Sequence, residues 1–320
     1  MPVEELEGCG AVRAVTRGNP PGSDVLVRLS YTPAGGGPDR RAGVRSATLG
    51  QLFAYSFGAD TKEGRRPVVL VGKGVCFDTG GLNLKSAGAM RTMKHDMAGS
   101  SVALGLLCAL KSVEAPFPVE CWLILVENNV NTLSYRPDEV VTAVTGDTIE
   151  VVHTDAEGRM LLADVLALAS RRVQSRLVSN SDPPPRLVLD FATLTGTCIT
   201  SLSTRYIGAC TSRRDMADTV IISGDQCGER AWPFPCDDDF DEDLESDVAD
   251  VLQCRQATTA DHIYAFAFLR RFVRTHVPWV HLDLASSHRT EGFLGHVPGA
   301  YTGAGVRLGF QLIHNLLSIS

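Results

Sequence analysis

The sequence predicts an α/β protein: a mostly parallel central sheet covered by helices on both faces, in a single domain. Three observations carry that prediction. Strand-like runs are apolar nearly throughout, as in strands buried on both faces. Segments of helical periodicity lie between them. No internal repeat and no interdomain linker interrupts the pattern. In order, strands are expected at Val25–Tyr31, Pro67–Gly72, Val119–Glu127, Asp147–His153, Arg186–Ala192 and Pro278–Leu284. Helices are expected at Ser100–Leu110, Met160–Val173, Met216–Glu229, His262–Thr275 and Val306–Ile319. The Pro/Gly-rich pieces Gly18–Gly22, Pro33–Pro38 and Ser179–Pro185 read as surface loops. Residues 1–45 are expected to form an N-terminal strand and lead-in packed on the domain of residues 46–320.

Of the 320 residues, 44% are hydrophobic and 21% charged, which suits a globular chain with a sizeable core. A net charge of −7 without a basic stripe argues against a nucleic-acid partner. The acidic run Asp237-Asp238-Asp239-Phe240-Asp241-Glu242-Asp243 reads as a solvated face. Nine cysteines stand singly, with no CxxC pair, which fits free thiols in a reducing compartment. Cys108 and Cys121 lie in apolar runs, where a thiol serves as a small hydrophobe. The N-terminus lacks the basic and apolar regions of a signal peptide. No apolar stretch approaches the about 18 residues of a membrane helix. A soluble, cytoplasmic protein without a membrane partner is expected.

The charged residues that stand out follow strands. In an open α/β sheet, ligands bind beyond the carboxyl ends of the strands. Lys73 and Asp78 follow the apolar run Val68–Val71, Asp155 and Glu157 follow Val151-Val152, and Thr193–Gly196 follow Leu187–Asp190. Asp155, Glu157 and Arg159 stand at alternate positions, which share a face in an extended segment. Two carboxylates so placed repel unless a cation lies between them or one keeps its proton. Asp155 could equally cap the helix expected near Met160, and Asp96 the helix that follows it. Asp78, before Thr79-Gly80-Gly81, also fits a turn. Lys73 lies between glycines at the end of a buried strand, where desolvation lowers an amine's pKa. A neutral amine there could ligate a metal.

Several segments, in order, resemble the leucine aminopeptidase (M17) family of metallopeptidases. They are Gly72–Gly81, Leu84-Lys85, Met93–Gly99, the stretch His153-Thr154-Asp155-Ala156-Glu157-Gly158-Arg159, and Ala192-Thr193-Leu194-Thr195-Gly196. The likeness continues through His281-Leu282-Asp283-Leu284 and Thr302–Arg307, and Thr154–Arg159 is its most specific motif. The resemblance implies that residues 46–320 are a catalytic domain holding two divalent metal ions, Mn²⁺ or Zn²⁺ and possibly Mg²⁺. Lys73, Asp78, Asp96 and Glu157 would hold one ion; Asp78, Asp155 and Glu157 the other. In the family, Lys85 donates to the oxyanion of a tetrahedral intermediate, and Arg159 holds a bicarbonate that carries the proton of the attacking water. Met93, Thr193 and Leu194 match positions that line the side-chain pocket or contact substrate.

By resemblance, then, the chain is a metal-dependent aminopeptidase of the leucyl type, acting on peptides and assembling as a homo-oligomer, a hexamer in relatives. Rival expectations are a dipeptidase of the cysteinyl-glycine type and a non-catalytic scaffold that keeps the fold. The complete set of ligand positions argues against the scaffold. Relatives usually carry a separate N-terminal domain, so a short natural form and a truncated chain both stand as expectations. Departures are His153 where Asn is usual, Ala98 for Gly, Thr79 for Ser, and a glycine-poor segment Thr258–His262. Glu291–Tyr301 is expected to be an extended loop at the pocket entrance.

Overall fold

The computed structural model describes residues 1–3, 6–33, 66–173, 175, 178, 182–257, 259–287 and 302–318. Its strands are β1 (Val25–Tyr31), β2 (Val68–Asp78), β3 (Val119–Asn128), β4 (Val140–Thr142) and β5 (Thr148–Glu150). They continue as β6 (Leu187–Ala192), β7 (Ile207–Thr211), β8 (Ala231–Pro233), β9 (Val251–Leu252) and β10 (Trp279–Asp283). The helices are α1 (Gly10–Thr16), α2 (Ala87–Met90), α3 (Ala98–Ser112) and α4 (Glu157–Ala169). After them come α5 (Gly196–Leu202), α6 (Ala217–Cys227), α7 (Asp261–Arg270) and α8 (Val306–Ser318).

Seven strands form the central sheet in the order β1-β3-β2-β6-β10-β7-β8. Its heart, β3-β2-β6-β10, is parallel throughout; β1 runs antiparallel to β3, and β7 antiparallel to β10. The expected fold class holds. Its cause is visible in β2, where successive side chains point to opposite faces. Val69, Val71 and Val75 join the core under α1, α4 and α7, while Val68 and Leu70 join the core under α3 and α8. Both layers are apolar, so the strand reads as one continuous apolar run. A buried side chain such as Leu106 of α3 contributes about 1.5–3 kcal/mol. Helix α4 is buried along its whole length, which explains why it lacks a polar face. Helix α6 ends where Gly228 takes the left-handed conformation.

Several expectations need correction. The expected strand Asp147–His153 is only Thr148–Glu150, and it belongs to a separate three-stranded sheet, β4-β5-β9. The segment before β1 contains a short helix, α1, with no local side-chain cap. Asp164 of α4 supplies the acceptor instead, taking the Val12 N–H at 2.9 Å. That partner is 152 residues away, so no local signal marks the helix. Cys108 is exposed, unlike buried Cys121, and all nine cysteines are free. The acidic run forms a largely exposed 3₁₀ turn, Asp238–Leu244, tied down by Arg270 through Asp238 and Asp241. Pro33–Pro38 falls almost wholly, Glu291–Tyr301 wholly, and Thr258 also, outside the described residues.

Candidate metal centre

One wall of the site is the end of β2, which continues past Gly72 to Asp78. Lys73 is therefore inside the strand, paired in register with Ile124. Simple alternation puts residues 73 and 78 on opposite faces. A bulge between Val75 and Phe77 inserts one residue and restores the match: Lys73, Val75 and Asp78 pair with Ile124, Val126 and Asn128. Lysine and aspartate thus share a face. Asn128 donates to Asp78 Oδ1 at 2.9 Å, as does the backbone N–H of Gly80. Gly80 takes φ +87°, which turns the chain back so that Lys85 N–H reaches the Thr79 carbonyl.

The opposite wall is the loop from β5 into α4, held by side chains from elsewhere. Gln253 Oε1 accepts the N–H groups of Val152 and His153, both at 2.9 Å, and its Nε2 donates to the Ala156 carbonyl at 3.1 Å. Thr154 donates to the Gly80 carbonyl, while Tyr135 and Asn128 donate to the Thr154 carbonyl. Asp155 and Glu157 therefore do not lie in an extended segment. Asp155 sits in a turn and Glu157 is the first residue of α4. Neither Asp155 nor Asp96 is the helix cap that local pattern suggests: Ala156 and Met97 occupy those positions. At Gly158, a Cβ would come within 2.6 Å of Lys73 Cε and 2.9 Å of Leu194 Cδ1. Only glycine lets α4 start against the lysine.

Between the walls, Asp78, Asp155 and Glu157 each place a carboxylate oxygen within 4.8 Å of the others. Lys85 Nζ lies 2.8 Å from Asp78 and 2.5 Å from Asp155. Lys73 Nζ lies 2.6 Å from Asp96 and 2.9 Å from Glu157, and donates to the Thr193 carbonyl at 3.1 Å. Thr193 Oγ1 donates to Asp96 Oδ1 at 2.7 Å. Burial pushes Glu157 up to about 8, with the Asp78 charge adding to it and Lys73 opposing it. Burial likewise pushes Asp96 up to about 6 against Lys73, and Asp155 up to about 6 with help from Asp78. Burial also works against an ionised Asp78, but Lys73 and Lys85 outweigh it and hold this carboxyl below its usual range.

Lys73 departs from expectation. Burial alone favours the neutral amine, but Asp96, Glu157 and Asp78 raise it above an ordinary lysine, so here it is an ammonium ion. The acids are short of positive charge even so. Asp96 Oδ2 and Glu157 Oε2 are buried and accept no hydrogen bond from the described residues. Unsatisfied, converging carboxylate oxygens that burial drives toward protonation suit divalent cations, and oxygen donors with one amine suit several of them.

Arg159 is buried in α4's first turn, donating to Asp261 Oδ2 at 2.6 Å and to the Gln253 carbonyl at 3.3 Å. Met93 opens the 3₁₀ turn that leads into Asp96 and is half-buried. Leu194 and Thr195 are positioned by buried Asp283, which accepts both of their N–H groups. Sequence reasoning missed Asn128, Gln253 and the pairing of Asp261. His153 is exposed, and its Nδ1 accepts the Asp155 N–H at 3.2 Å. Burial lowers its pKa, as does the charge of Lys85.

Fold and site define a class: an α/β protein with a carboxylate-rich, metal-type centre beyond its central strands. Comparison with known proteins gives the family. Residues 41–309 match the model of the cytosol aminopeptidase family, catalytic domain, and the chain belongs to that family. Among curated relatives, a probable cytosol aminopeptidase of Nitratidesulfovibrio vulgaris is 40% identical over 80% of this chain and 48% of its own length. One from Syntrophotalea carbinolica is 36% identical over 97% of this chain and 54% of its own. The chain thus spans about half the length of the curated relatives it matches. Among solved structures, the bottromycin maturation enzyme BotP in complex with Mn superposes with a TM-score of 0.79 at 34% identity. That match covers 97% of this chain and 60% of BotP's. Among the described residues, no helix is long and apolar enough to cross a membrane.

Proposed function

We propose that this chain is a metal-dependent aminopeptidase that hydrolyses the N-terminal peptide bond of peptides and prefers leucine-like N-terminal residues. The observation that carries the reading is the convergence of Asp78, Asp155 and Glu157 within 4.8 Å, flanked by Lys73 and Lys85. Asp78, Asp96, Asp155, Glu157 and Lys73 would hold two divalent cations, with Asp78 and Glu157 shared. Mn²⁺, Zn²⁺ and Mg²⁺ all suit the donor set, and the Mn in the BotP complex supports the first. Such a pair supplies Lewis acidity to an attacking water and to the scissile carbonyl.

The chain's own groups do the rest. Lys73 must surrender its proton before it can ligate, so metal uptake releases protons. Lys85, an ammonium at the edge of the cluster, is placed to donate to the carbonyl oxygen as negative charge develops there. Leu194 and Met93 offer apolar walls for a medium-sized side chain, and Thr193 a polar edge beside Asp96. The family reading extends to a cytoplasmic setting and to homo-oligomeric, hexamer-type assembly. Bicarbonate at Arg159 fits less well, because two of the guanidinium nitrogens already have partners within the chain.

The test is a panel of aminoacyl amides and peptides with protein supplemented with Mn²⁺ or Zn²⁺. Release of the N-terminal residue is expected, fastest with leucyl substrates, and abolished in a folded Glu157→Gln variant. Failure on every substrate would contradict the function. Unchanged turnover in Glu157→Gln would contradict the site.

A further inference from the structure

Arg159 is only 2% exposed, and a buried guanidinium requires a counter-anion. The chain supplies one. Asp261, the first residue of α7, places Oδ2 at 2.6 Å from Arg159 Nη2, and the Gln253 carbonyl takes Nη1 at 3.3 Å. A carboxylate in the first turn of a helix also faces the positive end of the helix dipole. The Asp261 side chain keeps 27% exposure, so it meets the buried arginine from the solvent side. Arg159 stands two residues after Glu157 in the first turn of α4, and Gln253, which takes its Nη1, also holds the loop that carries Asp155, so the pair sits beside the site.

A planar oxyanion binds arginine through two adjacent N–H groups. Among the described residues, Nη1 and Nη2 have partners and only Nε of this guanidinium lacks one. An incoming bicarbonate would have to compete for Nη2 and sit against the Asp261 carboxylate, which like-charge repulsion opposes. We propose that Asp261 is a built-in counter-anion that takes the seat of a bicarbonate ion on Arg159, so that this chain works without bicarbonate. Asp261 is then a positioning residue, fixing the guanidinium between itself and Gln253. The inference rests on the aminopeptidase reading for its consequence in turnover, but not for its consequence in binding.

Two measurements on the Zn²⁺-loaded full chain test it. In the first, [¹³C]bicarbonate is titrated and its NMR line width followed. Wild type is expected to show no saturable binding. Asp261→Ala should bind bicarbonate, and Asp261→Ala with Arg159→Ala should lose it again. In the second, turnover is measured in CO₂-free buffer with and without added bicarbonate. Wild type should not respond, whereas Asp261→Ala should fall by about tenfold or more and recover on addition. Saturable binding to wild type that a folded Arg159→Ala variant loses, or bicarbonate-dependent wild-type turnover, would overturn the proposal, and the turnover result needs no variant. Absence of binding in Asp261→Ala, with a native-like melting curve, would also overturn it, since the fork would then be no anion seat. A chain inert on every substrate defeats the aminopeptidase reading while the NMR titration still decides this one.

Discussion

The two walls of the candidate metal centre are built by different means. On the β2 side, the backbone ladder with β3 fixes Lys73, one residue past the end of the ladder with β6, and one bulge turns Asp78 onto the same face. On the α4 side, Asp155 sits in, and Glu157 directly follows, a loop whose shape depends on the side chains of Gln253, Thr154, Asn128 and Tyr135. A strand wall survives the loss of any one side chain, because its hydrogen bonds are backbone to backbone. A loop wall concentrates its geometry in a few buried amides and hydroxyls, each expensive to leave unpaired. The difference predicts that the α4 wall is the one that distant substitutions can loosen.

The largest effect on that comparison is expected from Gln253→Ala. It strands the N–H groups of Val152 and His153 and frees the Ala156 carbonyl, all next to two candidate ligands. Metal affinity should fall by about 10–100-fold, with a stability loss of about 1–3 kcal/mol. Calorimetric titration of Mn²⁺ alongside a denaturant curve separates the two. Lost stability with unchanged affinity would show that the α4 wall does not depend on its clamp.

A smaller effect sharpens the same contrast further along α4, where Asp164 ties the helix to α1 and to the Val144 N–H. Burial pushes Asp164 up to about 7, against the backbone N–H groups of Val12, Val144 and Ala11 that lower it. The folded state therefore holds the proton more tightly than the unfolded chain. Its contribution to stability is fully present below the unfolded value near 3.8 and is lost as pH rises toward 7. Asp164→Asn should melt lower at all pH, because the amide meets an N–H donor, but with a flatter dependence between those values. Parallel slopes for the two proteins would refute the assignment.

The same two walls show what a sequence discloses. The β2 side was legible: apolar strands and their helices follow from local pattern, and Lys73 and Asp78 stand at the end of one. The motif from Thr154 to Arg159 was also legible, through its family resemblance. What local pattern did not yield is what shapes the loop. Gln253 acts on residues about 100 positions earlier in the chain, and Asp261 pairs with Arg159 across 102. Such contacts exist only once the small sheet β4-β5-β9 has brought β9 beside β5. The error at Asp147–His153 has the same root, since an apolar run does not say which sheet it joins. At Lys73 the local pattern discloses the burial but not the three acids that folding gathers around it.

The central claim is that these acids form one metal centre, and anomalous scattering from a crystal soaked in Mn²⁺ tests it most directly. Strong manganese peaks contacting Asp78, Asp155 and Glu157 are expected, with Lys73 and Asp96 completing one of them. Manganese confined to other carboxylates, with Lys73 and Lys85 still paired to the acids of an empty cluster, would contradict it.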